Sequence, residues 1–144
     1  MEARRPRVVL DSSCFLAWLL PDEYIPSAET LLTQVQNGAV AGLVPGLFYQ
    51  EVGNTLVQCA RKGRITPIDF DSYLTCLLQM SFEVNVYPNS PLGLVESVRL
   101  AQTYRLTVYD AGYLALALHE NVPLATQDAA LSAAADRLGL LWKA

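Results

Sequence analysis

The sequence predicts an α/β fold, a mainly parallel central sheet with helices on both faces, built as a single domain of 144 residues. Three observations predict it. Strand-like runs alternate with helical ones along the whole chain, as they do when parallel strands are joined by helical crossovers. The strand-like runs are short and mostly apolar, which suits strands covered on both faces. The chain is also 52% hydrophobic, enough at this length for a core that needs no staples.

The elements follow in order. RVVLD, from Arg7 to Asp11, is β-branched and apolar and reads as a buried strand ending in an acid. SSCFLAWLL reads as a helix capped by Ser12 or Ser13 and stopped by Pro21. PSAETLLTQVQNG has amphipathic spacing and a stop at Asn37 and Gly38. AVAGLVPG is a second short strand. LFYQEVGNTLVQCARKG puts Phe48, Val52, Leu56 and Cys59 on one face of a long helix that stops at Gly63. TPIDFDSYLTCLLQMS opens a helix with Thr66 as cap, Pro67 in the first helical position and Asp69 nearby. FEVNVYP, from Phe82 to Pro88, alternates as a strand. PLGLVESVRLAQTYRL is expected to be a helix with Leu94, Val98 and Ala101 turned inward. YDAGYLALALHEN is almost wholly apolar and therefore a buried helix. VPLATQD is expected to be a strand, AALSAAADRLG a helix and LLW a final strand.

Composition excludes several classes. No apolar run reaches the ~18 residues of a membrane span. The basic tip leads into an apolar stretch that Asp11 interrupts, with no small-residue cleavage site after it, so no targeting segment is expected. Cys14, Cys59 and Cys76 are odd in number and lack C-x-x-C spacing. They are expected to be reduced core thiols, which fits a cytoplasmic protein. The net charge of -4 and pI of about 4.8 exclude nucleic-acid binding through overall charge, while a local basic patch stays open.

In an open parallel sheet, ligands bind beyond the carboxyl ends of the strands. Asp11 ends the first strand and Asp128 a later one. Asp110 opens the buried helix, and Glu51 lies on the first turns after GLVPG. Topology thus sends four acids, far apart in sequence, to one rim. Each has a structural use as well: Asp11 and Asp128 as helix caps, Asp110 against a helix dipole, Glu51 as a solvated side chain. Gathered together they repel and raise one another's pKa unless a cation sits among them. Oxygen-only ligation selects a hard ion, Mg²⁺ or Mn²⁺, which leaves room for a phosphate. An ion-activated water can then attack phosphorus. His119 is the one histidine, so imidazole catalysis has little support. No G-x-S-x-G, phosphate loop or G-x-G-x-x-G occurs.

These residues resemble the PIN-domain nucleases, and most of all the VapC-type toxins of bacterial and archaeal toxin–antitoxin pairs. VVLDSSCFLAWLLPDE resembles the family's opening strand and first acid, with Asp11 in that place and Ser13 at its Ser/Asn position. YQEVGNTL is similar to its E-x-x-N helix, giving Glu51 and Asn54. YDAGYLALA is close to its most recognisable segment, giving Asp110, and LATQD resembles its final Thr-x-Asp, giving Thr126 and Asp128. The resemblance spans nearly the whole chain. It implies a PIN-like three-layer sandwich and a metal-dependent endoribonuclease using Mg²⁺ or Mn²⁺. Asp11, Glu51 and Asp110 would hold the metal, with Asp128 completing or supporting the site. Ser13 and Thr126 would orient waters or carboxylates, and Asn54 would steady Glu51 or the substrate. An RNA substrate, a cognate antitoxin and a homodimer are implied with it.

Two surfaces follow from spacing. Glu51, Asn54 or Thr55, Gln58, and Arg61 or Lys62 fall along one helical stripe, and ARKGR supplies Arg61, Lys62 and Arg64 near its end. These cations either complement the helix dipole or extend phosphate contacts from the metal. CFLAWLLPDEYI crowds apolar residues into a short stretch, more than one helix face can bury. The first two helices either complete the core or leave a groove lined by Phe15, Trp18, Leu19 and Tyr24. An amphipathic antitoxin segment would lie there, with Trp18 as the anchor. Two readings stand beside the toxin: a PIN nuclease of RNA processing, and a non-catalytic RNA-binding or interaction module. A phosphohydrolase of small esters would need a phosphate-binding loop or a nearby lysine, and neither is present.

Overall fold

A computed structural model describes residues 4–144 of the chain. Its sheet has four strands in the order β3-β2-β1-β4, all parallel. Strand β1 (Arg7–Leu10) pairs with β2 (Ala41–Val44) on one side and β4 (Leu124–Ala125) on the other; β3 (Glu83–Val84) lies at the outer edge of β2. β1 and β2 are buried along nearly their whole length, as their apolar sequences require.

Helices α1 (Ser12–Leu19), α2 (Pro26–Gln36), α3 (Leu47–Arg61) and α4 (Pro67–Gln79) pack on one another in one group. Helices α5 (Pro91–Tyr104), α6 (Val108–Glu120) and α7 (Ala129–Arg137) form the other, with α6 laid against β1 and β4. The expected α3 face is the buried one: Phe48, Val52, Leu56 and Cys59. Phe15, Phe48 and Phe82 meet edge to face with centroids 5.1–6.0 Å apart. Among the described residues no helix is long and apolar enough to cross a membrane. Cys14, Cys59 and Cys76 are all free thiols.

Four expectations need correction. The cap of α1 is Asp11, whose side chain accepts from the Cys14 amide, not Ser12 or Ser13. The inward face of α5 is Gly93, Ser97 and Ala101, while Leu94 and Val98 are 51% and 38% exposed. Gly93 explains the rotation: a Cβ there would stand 1.7 Å from the Tyr87 carbonyl oxygen, so α5 approaches Tyr87–Asn89 through its smallest residue. The FEVNVYP strand is only two residues long, Glu83–Val84, and is followed by a 3-10 turn at Tyr87–Asn89. LLW contributes a single bridge, Leu141 to Leu124, rather than a strand.

Candidate active site at the carboxyl rim of the sheet

Asp11 follows β1 directly and is 3% exposed. A buried carboxylate must be paired with donors, and this one accepts three hydrogen bonds. Oδ1 accepts from Ser13 Oγ at 2.6 Å and from the Cys14 amide at 3.1 Å; Oδ2 accepts from Thr126 Oγ1 at 2.6 Å. Thr126 and Ser13 are themselves fixed, since Thr126 Oγ1 accepts from the Asp128 amide and Ser13 Oγ from the Gln127 amide. The turn after β4 is thereby tied to the turn after β1. Burial still dominates, pushing the Asp11 carboxyl up to about 6, and the charge of Asp110 adds to the rise.

The other acids come from three elements. Glu51 lies on α3 and accepts from the Tyr113 hydroxyl at 2.5 Å. Burial raises its pKa, and Asp110 raises it further. Asp110 sits in the first turn of α6, which Thr107 caps. Burial raises it too, followed by the charge of Asp128. Asp128 caps α7, its Oδ2 accepting from the Leu131 amide at 2.8 Å. Asp110 therefore lies close enough to Asp11, Glu51 and Asp128 at the rim for charge to be felt between it and each of them. The structural uses expected of Asp11 and Asp128 as caps are realised at the same time.

As the side chains stand, no three His, Cys, Asp or Glu residues among the described ones are grouped to hold a metal ion. Glu51 accepts from the Tyr113 hydroxyl and Asp128 from the Leu131 amide. The donor chemistry nonetheless fits a hard cation. All four groups are carboxylates, and each carboxylate oxygen has two acceptor positions. Protein donors fill both on Asp11 Oδ1 and only one on Oδ2, so one position on a rigidly held buried oxygen remains.

The remaining expected residues distribute differently. Asn54 is exposed, and the group that holds Glu51 is Tyr113. Sequence reasoning missed Tyr113, although it stands three residues beyond Asp110 on the same helix face. Its signal was a hydroxyl in a helix with no polar face, which had to find a partner. Arg61 and Lys62 are exposed at the end of α3, but Arg64 is committed to Asp22 at 2.6 Å and Glu23 at 3.3 Å. Of the supposed partner groove, Phe15 is fully buried, and Trp18 and Leu19 pack partly on the core. Only Tyr24 is open, at 47% exposure. Phe15 packs against Phe48 and Phe82 and has no surface to offer. His119 stands at the other end of α6 and stacks on Tyr87 at 3.6 Å, away from the acids.

The family model for the PIN domain matches residues 8–137. A relative, Ribonuclease VapC3 of Pyrobaculum aerophilum, is 29% identical over 126 residues, covering 88% of this chain and 92% of the relative. The crystal structure of PAE2754 from Pyrobaculum aerophilum superposes with a TM-score of 0.64 at 24% identity, covering 92% of this chain and 87% of that one. That likeness is one of fold.

Proposed function

The chain belongs to the PIN domain family, and from that premise we propose that it is a metal-dependent endoribonuclease, the toxin of a type II toxin–antitoxin pair. The observation that carries the reading is Asp110 standing within charge reach of Asp11, Glu51 and Asp128, with the carboxyl pKa of the first three raised from its ordinary value, chiefly by burial. Capping accounts for Asp11 and Asp128 one at a time, but not for Asp110 standing near enough to Asp11 and Glu51 to raise both. Its relationship to a protein named as a VapC ribonuclease supports RNA as the substrate.

Asp11, Glu51, Asp110 and Asp128 would hold Mg²⁺ or Mn²⁺. When bound, such an ion supplies a water made acidic enough to attack phosphorus and a charge to offset the one developing there. The chain's own contribution is positional. Ser13, Thr126 and the Cys14 amide fix both oxygens of Asp11, so that carboxylate cannot turn away. Tyr113 restrains Glu51 from the opposite helix. Asp110 is presented from the first turn of α6, whose cap Thr107 sets where the helix begins.

We further read residues 1–144 as one nuclease domain acting in the cytoplasm, restrained by a cognate antitoxin. A homodimer fits the exposed Leu92, Leu94, Val95 and Val98 on α5. The experiment is cleavage of a mixed RNA pool by the purified chain, with Mg²⁺ or Mn²⁺ and with chelator, beside Asp11→Asn and Asp110→Asn. Cleavage that requires the ion and disappears in both variants is expected. RNA binding without any cleavage would support the non-catalytic module instead, and wild-type cleavage by either variant would refute the site.

A further inference from the structure

A groove adjoins the acids that the acid chemistry does not use. Leu47, Gln50, Glu51 and Asn54 recur at i, i+3, i+4 and i+7 and so share one face of α3. With Tyr109 across from them they line a groove of about 260 Å³. Glu51 belongs to both groove and rim, so the groove begins where the acids end. Tyr109 is 65% exposed, directly before Asp110 in the first turn of α6. A ring so exposed adds little to the core.

The lining has a definite chemistry. It offers one aromatic face, one aliphatic wall and two exposed amides, Gln50 and Asn54. Each side-chain amide presents a donor and an acceptor together, the arrangement that reads the edge of a nucleobase. An exposed aromatic ring is a platform on which an unpaired base stacks. Among the described residues no cation lines the groove, so it suits a base and not a phosphate.

Resting on the ribonuclease reading, we propose that this groove is a base pocket. It takes one unpaired nucleobase beside the scissile phosphate, stacked on Tyr109 with its edge against Gln50 and Asn54. A base inside a duplex has no free face for the ring, so the pocket directs cleavage to single-stranded RNA. Tyr109 is then a specificity-determining residue, and Gln50 and Asn54 select among bases.

The test begins by mapping the cut positions of the parent chain on an unstructured RNA. A matching oligonucleotide is then bound to the full chain carrying Asp11→Asn, alone and combined with Tyr109→Ala or Tyr109→Phe. Tyr109→Ala is expected to weaken binding about tenfold and Tyr109→Phe to stay within about twofold, as loss and retention of one stacked base require. An abasic nucleotide beside the scissile phosphate should cause the same loss and add nothing to Tyr109→Ala. Abasic nucleotides elsewhere should add fully. Unchanged affinity in Tyr109→Ala, or full additivity at every position, overturns the pocket and leaves the ribonuclease reading standing. A parent chain that neither cuts nor binds RNA overturns both. A Tyr109→Ala chain that turns from dimer to monomer marks the ring as a self-association contact and overturns the pocket as well.

Discussion

The hydroxyl of Tyr113 donates to Glu51 Oε1 at 2.5 Å, joining α6 to α3 between residues 62 positions apart. Tyr113 is otherwise fully buried, so Glu51 is the outlet for its one polar atom. A hydrogen bond to a charged group contributes about 1.5–3 kcal/mol. Here it counters the burial that raises the Glu51 pKa.

Tyr113→Phe removes that bond and keeps the ring, so the fold is expected to survive. Glu51 loses its restraint, and Mn²⁺ affinity measured by calorimetry should fall by roughly tenfold, as for other groups that orient a metal ligand. RNA cleavage should show a lower kcat with little change in KM. Wild-type Mn²⁺ affinity and kcat in this variant would reduce the bond to a packing detail.

Metal-free stability should depend on pH through Asp11. Burial lifts its pKa from 3.8 to about 6 in the folded chain. The folded state therefore binds more protons than the unfolded one between those values, and stability falls as pH rises through that window. Above it the ionised, buried group costs about 3 kcal/mol. Glu51 and Asp110 shift in the same direction. The melting temperature in chelator, taken as wild type minus Asp11→Asn, should drop between acid and neutral pH. Mg²⁺ at neutral pH should restore it. A difference independent of pH would mean that Asp11 is not the strained group.

Much of this was legible because topology and chemistry pointed the same way. Asp11 and Asp128 stand after β1 and β4 as their places at the ends of short apolar runs required, and Asp110 opens α6 near enough to both Asp11 and Asp128 for charge to be felt. What was hidden depended on tertiary choice. The α5 pattern offers two apolar faces a residue apart, and only the close approach of Tyr87 to Gly93 selects the smaller one. That Glu51 would accept from Tyr113 could not be read from E-x-x-N spacing, because the partner comes from a different helix. The apolar crowding of α1 likewise said nothing of whether Phe15 faced a partner or Phe48.

The basic segment after α3 should divide. Arg61 and Lys62 are exposed, whereas Arg64 pairs with Asp22 and Glu23 across the Pro21–Glu23 turn. Replacing Arg61 and Lys62 by Ala should lower the slope of log affinity against log salt for single-stranded RNA by up to about 1.4. Arg64→Ala should leave that slope unchanged and loosen the turn instead. Equal slopes in all three chains would assign every one of these cations to the helix end or the ion pair.

Trp18 should behave as a packing residue first. It is half-buried against the core and meets Phe15 edge to face at 5.6 Å. Trp18→Ala is expected to cost about 2–3 kcal/mol, somewhat less than a fully buried aromatic, visible as a lower urea midpoint. Trp18→Phe should recover most of it. Co-expression with the product of the neighbouring gene then separates the two roles. Inhibition kept in Trp18→Phe and lost in Trp18→Ala only in proportion to stability argues for packing alone. Inhibition lost in a stable Trp18→Phe chain would restore Trp18 as an anchor for the antitoxin.

The outer side of α5 carries Leu92, Leu94, Val95 and Val98 within seven positions, all at least 38% exposed. The buried residues of α5 are Gly93, Ser97 and Ala101, while these four larger apolar residues are turned to solvent. Four exposed apolar side chains on one helix suit contact with another chain. Two copies related by a twofold axis would cover both stripes at once, since the same patch then meets itself. Introducing Val95→Glu and Val98→Glu together places like charges across such an axis and leaves the buried Gly93–Ser97–Ala101 face untouched. The double variant should keep the wild-type circular dichroism and sediment as a monomer at concentrations where the parent is a dimer. A parent that sediments as a monomer throughout would remove the homodimer, and a dimer that survives both charges would move it to another face.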